Sequence, residues 1–343
     1  MSATLEVVAP GFLTTVQDLG RFGYQRFGVS PAGAIDGHLL QVANALAGNA
    51  PGEAALEMTL QGATIAIDAP AARLAFAGDF AIAIDGTPAA RYRSHVLHRG
   101  QVLAVGRAQG GMRGYLAVAG GLAIATELGS RATHLRAGLG GIDGRELRVG
   151  DRLALCTATP PVGIERALSA ADIPVHRNLL RVVLGPQDDY FGDEEIARFF
   201  AASYTVTADS DRMGIRLAGP RIRHARGFDV ISDAVVTGSI QVPGSGEPII
   251  MLAERQTTGG YPKLATVIGA DLCHLAQAPP GATLRFTPVD LAEAQRLRAA
   301  DLEWLAGLPQ RLVPAGAAGV WSNADRLLGL NLISGVVDAA SDP

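Results

Sequence analysis

Short apolar runs alternate with glycine- or proline-bearing breaks along most of the chain. Val7-Val8, Thr64-Ile65-Ala66-Ile67, Leu74-Ala75-Phe76, Ala81-Ile82-Ala83-Ile84, Val102-Leu103-Ala104-Val105, Tyr115-Leu116-Ala117-Val118 and Leu153-Ala154-Leu155 each have the length and composition of a strand. Turn formers such as Asp85-Gly86 separate them. Their close spacing predicts meandering β-structure rather than alternating βαβ units. Helical signals are few. One runs from Asp36 to Ala47, with Asp36 as N-cap and Gly48-Asn49 as stop. A second runs from Asp193 to Ala202. A third runs from Asp290 to Leu305, with Leu291, Ala294, Leu297 and Leu305 near one face. The pattern predicts a mainly β chain with a few helices.

Composition narrows this further. The 343 residues are enough for two domains, at about 100–200 residues each. With 48% hydrophobic and 18% charged residues, a large core is available and disorder is not expected. A net charge of −4 gives no global reason to bind nucleic acid or an anionic membrane. Cys156 and Cys273 form no CxxC and no disulfide framework. The longest apolar stretch, near 115–126, is far too short to cross a bilayer, and Met1 to Glu6 lacks a leader's features. A soluble, reduced, cytoplasmic protein is expected.

Two segments echo each other. Asp18-Leu19-Gly20-Arg21-Phe22-Gly23 and Asp209-Ser210-Asp211-Arg212-Met213-Gly214 both read Asp-x-x-Arg-x-Gly, and each follows an apolar strand and turn. Asp and Arg three apart on a loop are expected to clamp each other, with Gly allowing a tight turn, so Asp18 and Asp209 read as structural. The echo predicts two related β-rich halves meeting near 160–174. The expected units are an N-terminal domain at 1–160, a C-terminal domain at 175–288 and a helical, apolar extension at 289–343. Within that extension Leu328 to Val337 is expected to pack onto the body or onto a partner chain.

Familiar chemical apparatus is missing. No GxxxxGK[ST], GxSxG or HExxH occurs, and Gly110-Gly111 and Gly120-Gly121 lack the following helix of a dinucleotide site. His95 and His98 have no local acidic ligand, so no metal site is expected. Gly244-Ser245-Gly246 reads as a hairpin turn.

What remains is one dense polar cluster. Strand Ile249 to Ala253 should be buried and deliver Glu254, Arg255, Gln256, Thr257 and Thr258 at its end. Gly259-Gly260 then permits a close backbone approach, followed by Tyr261-Pro262-Lys263. Gln241 lies on the preceding strand. Of 29 Lys and Arg residues, Lys263 alone is lysine. A lysine retained in so arginine-biased a chain is a candidate for a compact, tunable charge. Amide, hydroxyl, guanidinium and ammonium donors together suit a small amide, carboxylate or carboxyphosphate-like anion.

Ser239-Ile240-Gln241-Val242-Pro243 with Gln256-Thr257-Thr258-Gly259-Gly260-Tyr261-Pro262 resembles the C-terminal signature of the biotin-dependent carboxyltransferase-like family. That family includes the C chain of 5-oxoprolinase, the KipI antagonist KipA and the allophanate hydrolase subunit 2-type domain of urea carboxylase. Thr15 to Arg21 with Gly23, Gly28, Pro31, Asp36 and Asn44 is similar to the same family, as are Gly129 to Thr133 and Asp209 to Gly214. The resemblance runs from about Leu5 to about Pro288. It departs at Ala132, Glu254 and Asp233, where Ser, Asp and Glu are expected.

The resemblance implies cyclophilin-like barrel domains. For stand-alone chains it implies the C-type component of an ATP-dependent 5-oxoprolinase, opening 5-oxoproline to glutamate alongside an A-type component and a KipI-like B-type component. On that reading Lys263 and Arg255 neutralise anionic charge and Tyr261 donates or stacks. Gln241, Gln256, Thr257, Thr258, Gly259, Gly260 and Glu254 bind substrate, with Arg212 and Ser210 contributing from the neighbouring loop. No cofactor motif is present and ATP is used by the complex. One alternative is a carboxyltransferase component acting on urea- or guanidine-like amides with carboxybiotin from a partner. Another is a non-catalytic regulator binding a KipI-like protein.

Overall fold

The computed structural model describes residues 3–158 and 163–315. It is mainly β, in two halves, as the pattern predicts. The first half is built from two sheets, one of six strands and one of seven. Period-two alternation explains how they pack. In strand Ala71–Ala77, Leu74 and Phe76 face the core between the sheets, with Leu5, Ile65 and Leu103 of the opposite sheet. Ala75 and Ala77 point the other way, onto helix α1 (Gly37–Ala47). Both faces of this sheet are therefore covered, which is why strand Arg113–Val118 is buried at every position.

Helix α1 begins where expected. Asp36 Oδ1 accepts from the amides of His38 and Leu39 at 3.1 and 3.0 Å, and Gly48 ends the helix at φ +87°. The later helices are α2 (Asp193–Ala201), the short α3 (Leu272–Ala276) and α4 (Leu291–Ala306). Asp290 caps α4 by accepting from Glu293 N at 2.7 Å.

The second half is a closed seven-stranded barrel. Its neighbours are antiparallel except for Leu179–Leu184 beside Thr283–Pro288. Leu180, Val182, Ile215, Ile240, Ile250 and Phe286 fill the interior, and Phe199 of α2 stacks on Phe286 with centroids 4.8 Å apart. The turn Pro243 to Gly246 joins Ser239–Gln241 to Ile249–Met251, closed by Gly246 N donating to Pro243 O at 2.8 Å.

The segment between the halves is not featureless. Arg166–Leu168 pairs on one side with strand Arg93–His98 and on the other with Leu312–Pro314, beyond α4. Leu328 to Val337 lies outside the described residues. Among the described residues no helix is long and apolar enough to cross a membrane, and no three His, Cys, Asp or Glu gather to hold a metal ion.

The expected Asp-x-x-Arg clamps do not form. Asp18 serves its own loop, accepting from Gly20 N, Ser130 Oγ and Arg131 N, each at 2.7 Å. In the second copy Asp211 takes the turn-holding role instead of Asp209, accepting from Met213 N at 2.7 Å. The arginines reach elsewhere. Arg21 donates to Ala132 O, and Arg212 crosses to the first half. A loop carboxylate finds nearby amides more cheaply than it can bend a long side chain back onto itself.

Candidate functional site

The polar run after the buried strand divides into three environments, because the chain turns sharply there. Ile249–Met251 ends the ladder, and Arg255 N closes a turn onto Leu252 O at 3.3 Å. The chain then pairs as a two-stranded ribbon, Thr258–Gly259 against Asp233–Ala234, before entering strand Lys263–Val267.

Gln241, Gln256 and Tyr261 share the first environment, a hollow of about 190 Å³ also lined by Asp211, Met213 and Arg216. Gln256 Nε2 donates to Gln241 Oε1 at 3.1 Å. Gln241 Nε2 is buried and has no partner among the described residues. Gly259 permits this arrangement, since a Cβ there would stand 2.5 Å from Gln241 Nε2. Arg216, Ile249 and Tyr261 also wall a larger groove of about 810 Å³ that contains Asp209. Ser210 does not reach in. Its hydroxyl accepts from Arg216 N at 3.1 Å and so fixes the strand that carries Arg216.

Lys263 occupies the second environment. It is 3% exposed, and its ammonium donates to Asp233 Oδ2 at 2.6 Å and Ala234 O at 2.9 Å. The Lys263 hydrogen bond holds the Asp233 carboxyl below its usual pKa, with help from Ala234 N and Gln187. Lys263 thus clips the ribbon that bears Thr258 and Gly259. Thr257 supports the same ribbon through its carbonyl, which accepts from Val235 N, and Gly260 O accepts from Val230 N.

Glu254, Arg255 and Arg212 form the third, between the halves. Arg212 Nε donates to Glu254 Oε1 at 2.5 Å, its Nη1 pairs with Glu57 of the first half, and its Nη2 donates to Gly33 O at 2.7 Å. Burial works against the Arg212 charge, but Glu57 and Glu254 outweigh it and leave the pKa raised. Burial likewise works to raise the Glu254 pKa, yet His134 and Arg212 hold it below the usual value. Arg255 has no carboxylate partner among the described residues. Its Nε donates to Val235 O at 3.0 Å and its Nη1 to Thr237 Oγ1 at 2.8 Å, and burial pushes its pKa down.

The structure therefore brings Gln241, Gln256 and Tyr261 together and separates them from Lys263, Arg255, Arg212 and Glu254. Sequence reasoning missed Arg216, whose guanidinium has no ion-pair partner among the described residues. The signal was there in strand Gly214–Ala218, where Ile215 and Leu217 face the core and Arg216 between them faces out.

The chain as a whole is similar to known proteins. The chain is 39% identical over 284 residues to the 5-oxoprolinase C chain of Haemophilus influenzae, covering 83% of this chain and 91% of that protein. It is 36% identical over 319 residues to the 5-oxoprolinase C chain of Escherichia coli K12, covering 90% and 98%. The crystal structure of the K. lactis urea amidolyase superposes with a TM-score of 0.84 at 29% identity, over 91% of this chain but 21% of that much longer one. Residues 27–288 match the model described as carboxyltransferase domain, subdomain A and B, and the chain belongs to that family.

Proposed function

We propose that this chain is the C-type component of an ATP-dependent 5-oxoprolinase, working with partner chains of the A and B types to open a cyclic amide acid to glutamate. The observation that carries this reading is the 36–39% identity to two 5-oxoprolinase C chains over nearly their whole lengths. The Gln241 hollow supports it chemically. A 5-oxoproline molecule offers one lactam amide and one carboxylate. The unpartnered Gln241 Nε2 is a donor for the lactam oxygen, and the Arg216 guanidinium is a match for the carboxylate. Tyr261, 41% exposed, lines the same hollow and offers its ring and hydroxyl to the ligand. Lys263 acts one step back, by holding Asp233 and the ribbon.

The test is reconstitution with the A- and B-type partners and measurement of 5-oxoproline-dependent ATP hydrolysis. Arg216→Gln is expected to raise KM, and Gln241→Leu to lower kcat/KM. Turnover that persists without this chain would overturn the proposal. A second reading, a carboxyltransferase for urea-like amides, is favoured by the superposition on the urea amidolyase. Urea- and carboxybiotin-dependent turnover in the absence of 5-oxoproline activity would select it. Stable partner binding with no turnover of any amide would select the regulator instead.

A further inference from the structure

A second cleft, of about 580 Å³, lies where the two halves meet, and none of its lining residues belongs to the Gln241 hollow. Phe22 and Ile35 line it from the first half, Leu252 from the second, and Leu302 and Leu305 from α4. Set into these apolar walls are three cationic groups, Arg255, His38 and Arg298. One carboxylate, Asp301, serves two of them. It lies 2.7 Å from His38 Nε2 and is ion-paired with Arg298. Asp36, nearby, is fully buried and spends its oxygens on helix-cap amides and on Gln277. The wall is left net positive.

Arg255 is the group poised for a ligand. It is 4% exposed, its Nε and Nη1 are hydrogen-bonded, and nothing among the described residues accepts from its Nη2. A guanidinium held this rigidly, in an apolar cleft with no acidic partner, has the form of an anion receptor whose anion comes from outside. An inorganic anion would leave the apolar walls facing water, whereas an organic acid would cover them. We propose that this cleft binds a small organic carboxylate with an apolar body. Its carboxylate meets Arg255 Nη2 and its body packs against Phe22 and Leu302. The site is separate from the Gln241 hollow and stands whether or not that hollow takes 5-oxoproline.

Calorimetric titration of the full chain with cyclopentanecarboxylate, an apolar-bodied acid without the lactam that the Gln241 hollow would take, and with acetate and inorganic phosphate as anions lacking the body, tests this without turnover. Saturable cyclopentanecarboxylate binding is expected, tighter than acetate or phosphate. Arg255→Gln should weaken it by about tenfold or more. Leu302→Trp, at a half-exposed position of α4 lining the cleft, keeps Arg255 in the chain, fills the space for the ligand's body and should abolish it, so the proposal remains testable if Arg255→Gln fails to fold. Arg216→Gln separates the two sites and should leave this binding intact. Cys273 supplies a second readout. It lines the cleft, while Cys156 is exposed elsewhere, so the ligand should slow alkylation of Cys273 and not of Cys156. Binding that survives Leu302→Trp but is lost in Arg216→Gln, phosphate bound as well as cyclopentanecarboxylate, or no saturable binding at millimolar ligand would each overturn the proposal.

Discussion

Arg212, on a loop of the second half, is ion-paired with Glu57, on strand Ala55–Thr59 of the first, and both are buried. The same guanidinium holds Glu254, while Glu57 Oε2 accepts from Tyr115 Oη at 2.6 Å and from Ile35 N at 2.9 Å. One side chain therefore bridges two buried carboxylates, with Arg113 4.0 Å from Glu57 and His134 3.4 Å from Glu254 as more distant cationic neighbours. Arg212→Met should destabilise the chain by about 3–5 kcal/mol, because it takes the nearest cation away from both buried carboxylates. The triple variant Arg212→Met, Glu57→Gln, Glu254→Gln should recover much of that loss. Urea denaturation checks both. Equal stability of the single and triple variants would refute the account.

His38 makes stability pH-dependent. Burial opposes its charge, but Asp301, then Cys273 and Asp36, raise its pKa to about 10, against an ordinary value of 6.5. A raised folded pKa means that the His38 contribution is full below about pH 6.5 and disappears as pH climbs towards about 10. The wild-type chain should lose on the order of a few kcal/mol of stability across that window. His38→Gln should be less stable at pH 6 and show a flatter profile. Parallel profiles for the two proteins would contradict the assignment.

Lys263 and Asp233 should behave as one unit. In the reconstituted complex, Lys263→Ala is expected to reduce turnover by roughly ten- to a hundredfold, through displacement of the ribbon beside Gln241. Asp233→Asn should reproduce part of that defect, and the double variant should be no worse than Lys263→Ala. Additive losses in the double variant would show that the two act separately.

Gly259 lets the backbone come close to Gln241. Gly259→Ala should cost about 1–2 kcal/mol of stability, since the clashing group is a side-chain amide that can swing away. Its effect on kcat/KM should be larger, because that swing breaks the Gln241–Gln256 hydrogen bond. A variant with wild-type kinetics would remove Gln241 from the site.

Local features were legible in the sequence and long-range pairings were not. Seven strands of the first half show because each carries a short apolar run, whereas Thr87–Ala89 and Arg93–His98 carry none longer than two residues and do not show; Asp36 shows because an N-cap is a matter of adjacent residues. The three-residue barrel strands, such as Tyr204–Val206, are too short to display a period. At the site, Gln241, Gln256 and Tyr261 could be grouped because one hairpin carries them. The destinations of Arg212 and His38 could not, since Glu57 and Asp301 are separated from them by most of a domain or more. Arg255 and Gln256 are neighbours in sequence that line different cavities, a divergence set by the turn at Leu252.

Strand Leu312–Pro314 joins the sheet of the first half through Arg166–Leu168. Residues that leave the ribosome after the whole barrel thus complete a sheet begun by the earliest ones. During synthesis the first half waits with that edge unpaired, and the barrel must form while its neighbour is still unfinished. A nascent chain stopped after Pro288 would carry an open β-edge along Arg166–Leu168 and no α4, a surface ready to pair with other chains.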